Sequence, residues 1–314
     1  MEGKYLDLLD AETLEFIRRT EAFYPADAVN ASIEQQREWY DALCQEFDTG
    51  YPDGVTASDR TFTKGDASFE VREYVKAGVK PRAHILFFHG GGFVVGGLES
   101  HDSICAEFCD GTNCSVTSVD YRMAPEHLHP AAFEDCLIAF EQLAVETDLP
   151  IVLAGDSAGG NLAAAVSHAV RGHKRAPIGQ LLIYPGLGGD QTTGSYVTHA
   201  NAPMLTLADI EFYKLIRSGG QDLDGDVKAA PLHDSDFSNL PPTVTITAEC
   251  DPLSHDGKVY ANALTTAGSK AIWIEEIGMV HGYLRARTTV KRARESFARM
   301  INALNMLADR RWDF

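Results

Sequence analysis

Apolar positions in residues 1–48 recur at helical spacing. Leu6, Leu9, Leu14 and Ile17 form one set, and after a break at Pro25 come Ile33, Trp39, Tyr40, Leu43 and Phe47. This pattern predicts two acidic amphipathic helices ahead of any strand, lying across an active site as a lid or packed at the periphery as a hairpin. From Phe69 the period changes to two, and residues 69–75 (FEVREYV) alternate apolar with polar as a half-buried strand does. Residues 83–88 (AHILFF) read as a more continuously buried strand. Further strands are predicted at 115–119, 151–154, 178–184, 243–248 and 271–277. They are interleaved with helices at 103–108, 131–146, 161–170 and 257–267, and a basic helix closes the chain. Strand and helix in alternation imply a parallel, doubly wound sheet with right-handed crossovers. One stretch breaks the rhythm. Residues 185–204 are rich in Gly, Thr and Asn, and a helix bearing Phe212 and Tyr213 follows at 205–216. Such an insertion overhangs the carboxyl edge of the sheet, where open α/β folds bind ligands.

Composition adds limits. At 314 residues, with 45% hydrophobic and 23% charged positions, the chain is long enough for a large core with an appended lobe. A formal net charge of −18 argues against a nucleic-acid partner, because the phosphate backbone would be repelled. The charge is uneven: residues 1–48 hold 12 acidic and 4 basic side chains, whereas residues 281–314 hold 3 acidic and 8 basic. Solvated helix faces are the usual meaning of such runs. A contact between the two ends, within one chain or across a homodimer, is the alternative. Residues 1–10 lack the basic and apolar regions of a secretory signal, and no apolar run approaches the ~20 residues of a membrane span. With six cysteines and no signal, reduced thiols in a cytoplasmic protein are expected. His101, Cys105 and Cys109 are spaced about a helical turn apart, but thiols so placed are more often core, and no metal is expected.

Candidate chemistry enters at residues 155–159, where the 151–154 strand runs into GDSAG. This is the G-x-S-x-G pattern, a serine on a tight strand-to-helix turn, and alone it is weak because glycine turns recur in many α/β sheets. The loop HGGGF at 89–93 also follows a buried strand. It lacks the spacing of a dinucleotide or Walker phosphate loop, so bare N–H groups approaching a developing negative charge are the better reading. Ser157, Asp251 and His281 then fall at the carboxyl ends of successive strands, in the order Ser, Asp, His. A serine hydroxyl needs a base to take its proton, and the base needs a carboxylate to hold its tautomer. Asp251 is preferred to Asp256 and Asp120 because it leaves its strand directly ahead of Pro252. His281 is preferred to His255, which lies too close to Asp251 in sequence, and to His101, His127 and His129, which precede the serine.

Together HGGG at 89–92, DYRMAPE at 120–126, PAAFED at 130–135, GDSAGG at 155–160, DPL at 251–253 and HG at 281–282 resemble the hormone-sensitive-lipase-like carboxylesterases of the α/β-hydrolase superfamily. The stretch FHGGGFVVGGLESHD at 88–102 looks most like the bacterial acetyl-esterase branch. The resemblance implies an α/β-hydrolase fold, a mostly parallel sheet flanked by helices. A helical cap would be built from residues 1–50 and from an insertion at about 186–220 in a catalytic domain spanning 51–314. It implies Ser157 as nucleophile, Asp251 and His281 as its partners, and an oxyanion hole from the N–H groups of Gly91, Gly92 and Ala158. The expected substrate is a small ester with a short acyl chain, handled without metal or organic cofactor. An amidase or arylformamidase on the same triad, or a non-catalytic receptor on this fold, are the alternatives. Tyr283 stands where the family commonly has phenylalanine.

Overall fold

The computed structural model describes residues 3–25 and 31–313; residues 26–30 of the expected N-terminal cap segment lie outside them. Among the described residues three helices, not two, precede the sheet: α1 (Gly3–Leu8), α2 (Ala11–Glu21) and α3 (Ile33–Glu46). The extra break has a local cause. Asp10 accepts the N–H of Thr13 at 2.8 Å and so starts a new helix, while Ser32 and Gln35 form a capping box at the head of α3.

The sheet has eight strands in the order β1-β2-β4-β3-β5-β6-β7-β8. Strand β1 (Val55–Lys64) forms a hairpin with β2 (Ala67–Lys76), and β2 pairs antiparallel with β4. The remaining pairs are parallel: β3 (His84–Phe88), β4 (Ser115–Asp120), β5 (Ile151–Asp156), β6 (Gly179–Ile183), β7 (Thr243–Cys250) and β8 (Ala271–Val280). The helices between them are α4 (Asp102–Thr112), α5 (Ala131–Glu146), α6 (Ala158–Ala169), α7 (Gly194–Thr198), α8 (Leu207–Ser218) and α9 (Ser254–Thr266), and α10 (Lys291–Ala308) closes the chain.

Alternation along β3 divides the core. Ile85 and Phe87 face one side with Phe108 of α4 and Phe297 of α10. Leu86 and Phe88 face the other with Phe140 of α5 and Leu162 of α6. Each such side chain contributes roughly 1.5–3 kcal/mol by leaving water. Phe16, Ile17, Leu43 and Phe47 of the N-terminal helices join the first side. There the two oppositely charged ends meet within the chain: Asp10 pairs with Arg292 at 3.3 Å, and Glu12 accepts the N–H of Lys291 at 2.6 Å. Cys105 and Cys109 are core, and among the described residues no group of His, Cys, Asp or Glu is arranged to hold a metal. No helix among them is long and apolar enough to cross a membrane.

Candidate active site

Six parallel strands deliver their carboxyl ends to one edge, and the residues singled out in the sequence leave from there. Ser157 stands alone between β5 and α6 at φ 54° and ψ −116°, a left-handed conformation that costs of order 1–3 kcal/mol for a residue with a Cβ. The flanking glycines explain why the chain folds this way. A Cβ on Gly155 would lie 2.4 Å from the Gly159 carbonyl, and one on Gly159 would lie 1.9 Å from the Phe88 carbonyl oxygen. Strand β3 therefore passes so close to the turn that only hydrogen fits. The strained peptide is held by the Ser157 N–H donating to Ile183 O at 2.8 Å and by its carbonyl accepting from Asn161 at 3.1 Å.

A register shift at the other end of the sheet brings the acid and the base together. Between Ala248 and Cys250 the β7–β8 ladder is irregular, so that Cys250 pairs with Val280, and the next residues, Asp251 and His281, leave side by side. Asp251 is fully buried, its Oδ1 accepting the Leu253 N–H at 2.9 Å and its Oδ2 lying 2.7 Å from His281 Nδ1. The carboxylate can only accept, so Nδ1 carries the proton and Nε2 presents a lone pair. That Nε2 lies 2.8 Å from Ser157 Oγ. The rivals are engaged elsewhere. Asp256 accepts from Leu187, Gly189 and Tyr196, and burial pushes its carboxyl up to about 6. Asp120 ends β4, and burial raises it to about 6 as well. His129 contacts Asp226 at 2.9 Å, and the backbone of His255 donates to Ser195.

The glycine loop after β3 is pinned from below. Gly90 donates to Asp156 Oδ1 at 2.8 Å, and His101 Nε2 lies 3.1 Å from the same oxygen. Burial opposes the charge on Asp156, but His101, Arg285 and the Gly90 amide together hold it at about 2. Gly91 has φ 128° and its carbonyl accepts from Val94 and Val95 at 3.1 and 3.0 Å. Because a trans peptide directs its C=O and N–H oppositely, the N–H of Gly92 points away from that turn. Ala158 heads α6, whose first amides have no intrahelical acceptor and carry the positive end of the helix dipole. Gly91, Gly92, Ala158, Ser157 and His281 all line one cavity of about 950 Å³.

Sequence reasoning missed several residues here. Asp156 is the unfixed position inside GDSAG, and nothing in the motif says that it anchors the other loop. Arg37 reads as the polar face of an amphipathic helix, yet it donates to Val94 O at 2.8 Å, to Ala124 O at 2.9 Å and to Glu126 at 2.7 Å, fastening α3 over the glycine loop. Arg285 was counted only as one of the terminal charges, yet it lines the cavity.

Known proteins resemble this chain over most of its length. A family model described as the alpha/beta hydrolase fold matches residues 85–285. Esterase LipI of Mycobacterium tuberculosis is 38% identical over 231 residues, 71% of this chain and 72% of its own. The ethyl acetate hydrolase of Pseudomonas putida is 31% identical over a stretch of the same length, again 71% of this chain and 72% of its own. The solved structure of the hyperthermophilic esterase from Pyrobaculum calidifontis superposes with a TM-score of 0.86 at 29% identity, covering 96% of this chain and 99% of that one.

Proposed function

Since the chain belongs to the α/β-hydrolase fold family, among its hormone-sensitive-lipase-like carboxylesterases, and is a carboxylic ester hydrolase, we propose that it cleaves short-chain, acetyl-like esters through an acyl-enzyme on Ser157. The observation that carries this reading is the unbroken series from Asp251 through His281 to Ser157, at 2.7 and 2.8 Å. His281 Nε2 takes the proton as Ser157 Oγ attacks the acyl carbon. The oxyanion so formed accepts from the N–H groups of Gly91, Gly92 and Ala158, each donor contributing on the order of a hundredfold or more to kcat. The imidazolium, stabilised by Asp251, returns the proton to the leaving alkoxide as the C–O bond breaks. Water then repeats the sequence on the acyl-serine, and the acid departs.

Helices α1–α3 and residues 186–220 act as the cap in this reading. Both contribute to the cavity wall, Phe16 and Tyr40 from one and Tyr213 from the other. The short-acyl assignment is supported by the relative named for ethyl acetate hydrolysis and by Tyr213, whose ring would lie 2.6 Å from a Cβ on Gly92 and so narrows the space beside the oxyanion donors. A chain-length series of aryl esters on wild type and Ser157→Ala tests both parts. Acetate to butyrate should be the best substrates, and Ser157→Ala should lower kcat by roughly 10⁴-fold or more. Equal rates in the two proteins would overturn the mechanism, and a preference for long chains would overturn the acyl assignment.

A further inference from the structure

Among the described residues three arginines are buried, Arg217, Arg285 and Arg287, and of these only Arg287 has a carboxylate partner. Arg287, 3% exposed, meets Glu107 at 2.7 Å, and Arg122 meets Asp135 at 2.8 Å. Arg285, two residues before Arg287 and 8% exposed, is different. Its Nε donates to Cys44 Sγ at 3.3 Å and its Nη2 to the Tyr40 hydroxyl, both uncharged groups. Among the described residues no carboxylate comes within ion-pair distance of it. A carboxylate that acts on it from further off is Asp156, which already accepts from Gly90, lies against His101 and is 3.3 Å from the Tyr184 hydroxyl. A guanidinium offers five donors in a planar fork matched to a carboxylate, and leaving it buried without one is costly.

A second observation points to the same place. Thr20 of α2 is 5% exposed, its Oγ1 has no hydrogen-bond partner, and it lines the cavity together with Tyr24, Tyr40 and Arg285. A buried hydroxyl without a partner is costly, and this one belongs to the same cavity wall as Arg285. The other buried arginine of the cavity, Arg217, does not share this character: its face lies 3.6 Å over the Phe93 ring, and its donors reach the Ala229 and Lys228 carbonyls.

We propose that the natural substrate is an ester bearing a carboxylate, and that Arg285, assisted by Thr20 and Tyr40, receives that carboxylate. The inference rests on ester hydrolysis at Ser157 and names the class of ester. Four acidic groups line the cavity: Glu21, Asp209 and Asp224 are exposed, where solvent screens them, and Asp156 is buried with its oxygens accepting from Gly90 and Tyr184. Arg285 Nη1 would lie 3.9 Å from a Cβ on Gly282, beside the backbone that carries His281. His281 hands its proton to the leaving oxygen, so the carboxylate belongs on the alcohol half.

The test compares kcat/KM for 4-acetoxybenzoate and for acetoxyacetate with that of their uncharged primary amides, and for monophenyl adipate with phenyl adipamate, which puts the charge on the acyl half. Wild type should favour at least one acid over its amide by about tenfold or more, with the preference on the alcohol-half pairs. Arg285→Met should bring that ratio to about one, Arg285→Lys should keep part of it, and Thr20→Val should lower it in a protein whose melting temperature is little changed. A wild-type preference for every amide overturns the proposal. So does a ratio that survives in Arg285→Met and Thr20→Val, even if the absolute rates fall. A preference confined to monophenyl adipate overturns the placement on the alcohol half. Hydrolysis of the uncharged amide-bearing esters by wild type, and its loss in Ser157→Ala, reports separately on the mechanism at Ser157.

Discussion

At the scale of single residues, backbone collision decides what can stand at the turn around Ser157. Replacing Gly159 by alanine would drive a methyl group to 1.9 Å from a carbonyl oxygen of β3, a contact that only a shift of the whole strand relieves. Gly159→Ala should cost more than about 3 kcal/mol in a urea titration, or fail to fold, whereas Gly172→Ala, with nothing within 4 Å but φ 77°, should cost only about 1 kcal/mol. The same collision explains why the turn was legible in the sequence. Where one residue type alone fits, the motif is forced, and Ser157, with glycines on both sides, announces itself. Asp251 and His281 were legible because strand ends could be counted. Arg285 and Thr20 were not. An arginine in a basic C-terminal segment and a threonine on an amphipathic helix carry no pattern that separates a surface position from a cavity wall, and only packing makes the distinction.

Among the elements, α3 is fastened to the glycine loop without supplying a member of the triad. Arg37 ties it to Val94, which directly follows the glycine loop, to Ala124 and to Glu126. Arg37→Ala would leave two backbone carbonyls without that donor, each worth roughly 1–3 kcal/mol when buried. It should lower kcat on an aryl acetate by about tenfold or more, with a smaller change in the far-ultraviolet dichroism than in the rate. A rate equal to wild type would show that the loop holds its shape without α3. The elements themselves were unevenly readable. Strands β3 to β7 showed as apolar runs, but β1 escaped because only Val55 and Phe62 of its ten residues are buried, too few to set a period. Helix α6 begins at Ala158, three residues ahead of the alanine-rich run that predicted it, because the serine turn and not composition starts the helix. Strand β8 continues to Val280, through residues that read as loop.

The whole molecule carries ionisable groups whose burial works in opposite directions. Burial and Arg60 push His84 down to about 4, and burial with His101 pushes His89 down to about 3. Their folded pKa values lie below the unfolded ~6.5, so the unfolded chain binds more protons in between. The stability they give is present above that value and is lost as pH falls toward 4. Asp120 and Asp256, pushed up by burial to about 6, act in the reverse sense: the folded state holds the proton longer, and stability rises as pH falls from 6 to about 4. The two sets offset one another. Removing one carboxyl should expose the histidines, so the urea midpoint of Asp256→Asn should fall more steeply between pH 6.5 and 4.5 than that of wild type. A parallel pair of curves would refute the assignment. The charge asymmetry of the sequence showed that the two ends differ, but not that they touch, since charge runs are the same whether they face solvent or each other.

That contact has a consequence in time. Glu12 and Lys291 are separated by 279 positions, which at a synthesis rate of ~5–20 residues per second is roughly 15–60 s on the ribosome. Helix α2 emerges well before its partner at the head of α10. Through that interval Phe16 has Phe47 beside it, at a ring-centroid distance of 5.2 Å, but α10, which shares its core, has not yet been made. The contact between α2 and α10 therefore forms only once nearly the whole sheet, through β8, has been made.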